Sequence, residues 1–491
     1  MALTAWSSTR RSSNDNGGAA YAAPPCVQKE ERTILDLIIR NGTVVGPSST
    51  EKLSIAVKDG IIVGLFAPDF SAPAKKVIDA KGMLVMPGLI DSHAHITSTG
   101  GEFTSLDNYY NGTLAAAYGG TTSFIDFSFL RKGETPISAL ERKLAEINGN
   151  SLLDYSFHPC VNRACEQFYG EIRDLMRGGY PSIKLFTVYR DTLMMPMNGV
   201  YEVLKIIAQE NGIALVHAES AELIEPNIQR CVDTGNTTPW DHAMARPPIT
   251  ELEAMYSVAS MVADLGTPVI FAHMTTGMAE GLLSAARGRL PLYAEVCPHY
   301  LTLDQEKYRG DDGCNFVCSP PLRSEPQREA LWSLVTKGLV DIVTSDHTDY
   351  SSAQKRKYKG DFTKIPNGLP TIETRALVFF SEGVAKGRIS ANRFVELCST
   401  NIAKRMGLYP RKGVIRVGSD ADITVIDPNV RQVWSAQMHH MQTDFSPFEG
   451  MELTGKVMHT IVRGEPIICD GRFTGTSFRG RKMERSSPIL D

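Results

Sequence analysis

Hydrophobic and polar positions along this chain follow two regimes. From Leu35 to Phe66, short apolar stretches break at turn residues: Leu37-Ile38-Ile39 runs into Asn41-Gly42, and Ile55-Ala56-Val57 into Asp59-Gly60. Far downstream, Asp422-Ile423-Thr424-Val425-Ile426 and Val457-Met458-His459-Thr460-Ile461-Val462 have the same character. Two distant strand clusters flanking a long middle predict one small β-sandwich domain built from both ends of the chain, residues 33–85 with 410–475.

The middle, residues 86–409, alternates differently. Apolar runs of strand length begin near Leu84, Thr121, Leu153, Ser182, Ile213, Pro268, Pro291 and Asp341. Stretches such as 199–210, 251–263 and 326–335 lie between them, with apolar residues three and four apart, the spacing of a helix face. Eight strand-helix units in succession predict an α/β fold, a (β/α)8 TIM-like barrel. A doubly wound sheet would carry a Gly-rich phosphate loop after its first strand. Here Pro87-Gly88-Leu89-Ile90-Asp91-Ser92-His93 stands in that place.

Composition narrows the class. A chain of 491 residues suits a large barrel plus an accessory domain. A net charge of -4 gives no basic excess for nucleic acid, and no apolar run is long enough to span a membrane. The nine cysteines are scattered and odd in number, which fits reduced, buried thiols in a cytoplasmic protein. Residues 1–32, rich in Ser, Ala, Gly and Asn, read as a disordered leader, although Arg10 and Arg11 share the character of a transit peptide. Residues 476–491 form a tail whose Arg479-Gly480-Arg481-Lys482 either reaches a neighbouring subunit or is solvated.

Barrel enzymes carry their chemistry at the C-terminal ends of the strands. Strand one delivers His93 and His95, whose i, i+2 spacing points both to one face. Strand five ends at His217, strand six at His273 and strand eight at Asp346. Four imidazoles and a carboxylate suit zinc and related divalent ions. Lys184 sits in the apolar run Ile183-Lys184-Leu185-Phe186. It either snorkels to the barrel rim or stays buried as a neutral amine. A neutral amine reacts with CO2 to give a carbamate able to bridge two metals, a step that spacing does not establish.

The chain resembles the hydantoinase/dihydropyrimidinase family of the amidohydrolase superfamily from about Leu35 to about Phe478. The resemblance is carried by Pro87-Gly88-Leu89-Ile90-Asp91-Ser92-His93-Ala94-His95, Gly119-Gly120-Thr121-Thr122, Ser182-Ile183-Lys184-Leu185-Phe186 and Val216-His217-Ala218-Glu219. Arg246-Pro247-Pro248, Cys297-Pro298-His299-Tyr300-Leu301, Ser319-Pro320-Pro321-Leu322-Arg323, Ser345-Asp346-His347, Ile365-Pro366-Asn367-Gly368 and Gly418-Ser419-Asp420-Ala421-Asp422 extend it. It implies two divalent metals, usually zinc, with manganese or others also used. His93, His95 and Asp346 would hold one, and His217 and His273 the other. Lys184, carbamylated by CO2, would bridge them together with a hydroxide. Tyr189 would stabilise the oxyanion, and backbone groups at Ser319 and Asn367 would hold a cyclic amide. The resemblance also implies a homotetramer or homodimer.

The implied activity is hydrolysis of a hydantoin or dihydropyrimidine ring to an N-carbamoyl amino acid. Allantoinases and dihydroorotases place an Arg soon after His-x-His to hold a charged substrate. Here Ile96-Thr97-Ser98 follows and the next Arg is Arg131, which favours a neutral ring. A cyclic-imide hydrolase would share the same ligands, whereas the family's metal-free scaffold proteins have lost theirs. The chain departs from the family at Met274-Thr275-Thr276, Thr348-Asp349-Tyr350 and Leu369-Pro370-Thr371, where Val-Ser-Ser, Cys-Pro-Phe and Gly-Pro-Gly are common. Phe186, Leu193 and Met194 are expected to shape an apolar substituent pocket. Asp91, Asp126, Glu219, His299 and His347 read as supports, and His439 and His440 as residues beyond the barrel.

Overall fold

A computed structural model describes residues 34–490; the predicted leader lies outside them. Eight parallel strands form the barrel: β1 (Leu89–Ala94), β2 (Thr121–Ser128), β3 (Asp154–Pro159), β4 (Ser182–Phe186), β5 (Ile213–His217), β6 (Val269–Phe271), β7 (Leu292–Val296) and β8 (Ile342–Val343). Neighbours pair in sequence order, with a single Cys160–Lys184 bridge between β3 and β4. The ring closes through loop residues beyond β8. Asp346 N donates to His93 O at 2.8 Å and His95 N to His347 O at 2.9 Å.

The period-two pleat explains the contents of the barrel. Ile213 and Leu215 of β5, Ile270 of β6, Tyr293 of β7 and Ile342 of β8 pack with Ile90, Ile125 and Phe127 inside. Ile183, Leu185, Ala214, Val216, Ala294 and Val296 pack instead with the surrounding helices. Lys184, between Ile183 and Leu185, therefore points inward, as Glu295 does between Ala294 and Val296.

The apolar run beginning at Leu84 is two strands rather than one. Leu84–Pro87 pairs with Leu35–Val45 and Ile423–Val433, and β1 starts only after Gly88. The chain turns there because Gly88 is wedged: a Cβ would lie 2.2 Å from Thr122 Oγ1. Strands from both ends of the chain hydrogen-bond into one nine-stranded mixed sheet. Leu37, Ile39, Ile55, Val57 and Ile62 from the N-terminal side share its core with Ile423, Val425 and Ile461.

The tail docks on its own barrel. Met483 N donates to Tyr155 O on β3 at 2.7 Å, and Arg481 N to Asp154 Oδ1 at 3.0 Å. Met483 joins the barrel core, and Arg485 donates to Ser182 Oγ at 2.7 Å. Among the described residues, no helix is long and apolar enough to cross a membrane.

The loop after β1 is fastened by an acid pair. Asp349 Oδ2 accepts the N–H groups of Leu106 (3.1 Å) and Asp107 (2.6 Å). Burial pushes the Asp107 carboxyl from 3.8 up to about 7 and raises Asp349 as well. A folded value above the unfolded one means the pair's stability is full below about pH 4 and lost as pH rises through about 7. Asp107→Asn is therefore expected to raise the melting temperature at pH 8 and to change it little at pH 5. Thermal melts at the two values check this; an equal shift at both contradicts it.

Candidate metal centre and active-site cavity

The C-terminal ends of the strands open into a cavity of about 740 Å³. His93, His95, Lys184, Tyr189, His217, His273, Ser319, Asp346 and Asn367, scattered over some 270 residues of sequence, all line it. Asp346 Oδ1 lies 3.3 Å from His93 Nε2 and 3.1 Å from His95 Nε2. These three side chains offer ligand atoms within 4.8 Å of one another. His217 and His273 stand edge to face with ring centroids 4.5 Å apart, and His273 is 5.2 Å from His93. Lys184 is 0 % exposed, with Nζ 5.0 Å from the ring centroids of Phe127 and Phe186. The rim location that snorkelling would give it is not where it lies.

The electrostatics suit a metal. Burial lowers His93, His217 and His273, keeping the imidazoles neutral, the form that binds metal ions. Burial also lowers Lys184, against the pull of Glu295 and Asp346. Lys184 Nζ, His93 Nε2, His95 Nδ1 and His273 Nδ1 are buried with no hydrogen-bond partner. Orphaned polar atoms at one point in a fold ask for a partner of another kind. The His93, His95 and Asp346 donors, with the His217 and His273 imidazoles and a buried lysine lining the same cavity, fit a divalent-metal centre.

Carboxylates behind the imidazoles fix which nitrogen is free. His217 Nε2 donates to Glu219 Oε2 at 2.7 Å, leaving Nδ1 unprotonated. Arg246 Nη1 binds the same oxygen at 2.8 Å. Burial opposes ionisation of Glu219, but Arg246 and His217 hold its carboxyl well below the usual range. His93 Nδ1 is likewise 2.6 Å from Glu295 Oε1. Sequence reasoning found Glu219, which follows the strand-end His217, and missed Glu295, which sits inside β7.

Tyr189 stands beside this network. The Arg246 guanidinium is 5.5 Å from its ring centroid, and burial pushes its hydroxyl up to about 12, so it remains a donor at neutral pH. Ser319 Oγ donates to Asn367 Oδ1 at 3.0 Å across the same wall. Tyr189, His273 and Asp346 have φ of 70°, 37° and 47°, a strained region for non-glycine residues that clusters at functional sites.

Other residues take structural places. Asp91 accepts from His93 N and Ser345 N, tying β1 to the end of β8. Asp126 accepts from Tyr109 Oη at 2.8 Å. His347 Nδ1 accepts the Thr371 amide at 3.1 Å. Burial takes His299 down to about 4. His440 is held by Glu373, away from the cavity. Phe186 and Leu193 line the cavity, but Met194 packs beside Val188, Ala221 and Ile224. Phe103, Phe129, Leu130, Tyr350, Tyr358 and Ile365 complete an apolar and aromatic wall that the sequence reading did not anticipate. Among the described residues, no arginine lines the cavity.

A strand-end cluster of this kind in an eight-stranded parallel barrel defines a metal-dependent hydrolase class, and comparison with known proteins agrees. The sequence pattern of the amidohydrolase family matches residues 84–467, and the chain belongs to that family, within its hydantoinase/dihydropyrimidinase branch. It is 36 % identical to the D-hydantoinase of Geobacillus stearothermophilus over 91 % of this chain and 96 % of that one. It is also 36 % identical to the D-phenylhydantoinase of Escherichia coli O81 (strain ED1a), over 92 % of this chain and all of the other. The solved dihydropyrimidinase of Brevibacillus agri NCHU1002 superposes with a TM-score of 0.90 at 37 % identity, covering 92 % and 99 % of the two chains.

Proposed function

We propose that the chain hydrolyses the ring amide of neutral hydantoins and dihydropyrimidines, giving N-carbamoyl amino acids. The observation that carries this reading is a cavity lined by four histidines, an aspartate, a buried lysine and a tyrosine and, among the described residues, by no arginine. An apolar, aromatic wall suits a ring bearing an aryl or alkyl substituent better than a second carboxylate. Two divalent ions, in our reading zinc, would be held by His93, His95 and Asp346 and by His217 and His273, with Lys184 carbamylated between them. When bound, they supply a nucleophile at neutral pH and polarise the carbonyl.

The chain's own groups do the rest. Asp346 takes the proton of the attacking water and returns it to the leaving ring nitrogen. Tyr189 donates to the oxygen that becomes negative at the tetrahedral carbon. Backbone groups at Ser319 and Asn367 hold the ring amide against that face. The aromatic wall seats the substituent.

Metal-stripped protein reconstituted with zinc and bicarbonate tests the reading. It should convert 5-phenylhydantoin to a product heavier by one water, seen by mass spectrometry, and the stripped protein should not. Equal turnover with and without metal would defeat it. Tyr189→Phe should lower kcat by about 100- to 1000-fold with a much smaller change in KM, since one oxyanion donor is lost. A fall of less than about tenfold would remove Tyr189 from that role.

We also propose a homotetramer. Leu223, Val232, Met244, Ile249 and Tyr256 are exposed apolar side chains on three consecutive helices, Ala221–Thr234, Pro239–Ala245 and Pro248–Leu265. Sedimentation equilibrium tests it.

A further inference from the structure

Glu295 has no place in the mechanism above, yet it is a wholly buried carboxylate in an otherwise apolar strand. Its Oε1 accepts two hydrogen bonds, from His93 Nδ1 at 2.6 Å and from the backbone N–H of His273 at 2.9 Å. Its backbone carbonyl accepts Met274 N at 2.8 Å, so Glu295 grips both sides of the His273 peptide unit. The two histidines come from β1 and β6, on opposite sides of Lys184 in the proposed ligand set.

Each contact has a physical consequence. An imidazole that donates from Nδ1 keeps its lone pair on Nε2, and His93 Nε2 is the atom that faces Asp346. The hydrogen bond from the His273 backbone N–H retains a residue at φ 37°, a sparsely populated state for a histidine. Glu295 Oε2 has no hydrogen-bond partner, so the side chain's share of the grip runs through Oε1 alone.

We propose that Glu295 is a positioning residue for both metal sites, orienting His93 through its side chain and His273 through its backbone. This rests on the reading of His93 and His273 as metal ligands. What the role requires is reach. Glutamine at 295 keeps an oxygen at the same distance, able to accept both hydrogen bonds. Aspartate keeps the carboxyl group, but it ends one methylene short of both donors.

Zinc affinities of the full chain, measured by competition with a chromophoric chelator, separate the alternatives, and melts of the metal-free proteins report folding. We expect two zinc ions per wild-type chain. Glu295→Gln should bind both within a few-fold of wild type, while Glu295→Asp weakens both by about 10- to 100-fold, the usual cost of losing the partner behind a ligating histidine. Wild-type affinity in Glu295→Asp, or Glu295→Gln as weak as Glu295→Asp, overturns the proposal and leaves the metal reading standing. A wild-type chain that takes up no zinc overturns the metal reading itself.

Discussion

Lys184→Ala is expected to leave a folded protein without bound metal and without ring-opening activity. The argument starts from burial. Lys184 Nζ lies on the barrel axis side of β4 with no hydrogen-bond partner, between two aromatic rings. An ammonium there pays a large desolvation penalty and repels any cation nearby. A carbamate formed there would reverse the sign of the charge and supply oxygen donors to a metal. Without it, His217 and His273 are left with two neutral nitrogens, too few to hold a divalent ion tightly. Alanine at 184 removes no packing between β4 and the helices, because Ile183 and Leu185 provide that. Metal content by plasma emission, beside circular dichroism, checks the result. A folded Lys184→Ala chain with two metals and normal turnover would remove Lys184 from the bridge.

Asp346→Asn should cost about 10²- to 10⁴-fold in kcat, the range for losing a positioned proton-transfer group. Asparagine fills the same space and can still accept from a neighbour, so folding should be little affected. It cannot carry a proton from the attacking water to the ring nitrogen. Because Asp346 Oδ1 also faces His93 and His95, metal affinity at that side should fall as well. Single-turnover rates at saturating zinc separate the two effects. A variant that regains the wild-type rate when metal is restored would make Asp346 a ligand only.

Much of this architecture is legible from pattern. A short buried strand in a two-sided environment reads as a continuous apolar run, which is why even Val269–Phe271 and Ile342–Val343 were located. A polar residue inside such a run stands out, and Lys184 did. Glu295 escaped because its significance is a contact with His93 across 202 residues of sequence, and no local spacing encodes that. The split at Gly88 was hidden because Leu84–Ala94 is apolar on both sides of the turn, although one half belongs to the mixed sheet and the other to the barrel. The cavity wall from Ser98 to Phe103 follows no period, being loop and two-residue strands. The basic charges of the tail are plain in the sequence, but they leave open whether it reaches a neighbouring subunit or is solvated. Its docking depends on Met483 filling the barrel core and on Asp154 accepting Arg481 N.

The preference for a neutral ring is the central claim, and it rests on an aromatic wall and, among the described residues, on no lining arginine, while Lys364, which also lines the cavity, is paired with Asp361. Initial rates on one zinc-loaded preparation with dihydrouracil, hydantoin, each hand of 5-phenylhydantoin, succinimide, allantoin and dihydroorotate test it directly. Turnover should be greatest for the substituted hydantoins or dihydrouracil, with dihydroorotate near background. Hydrolysis of allantoin or dihydroorotate alone would contradict it.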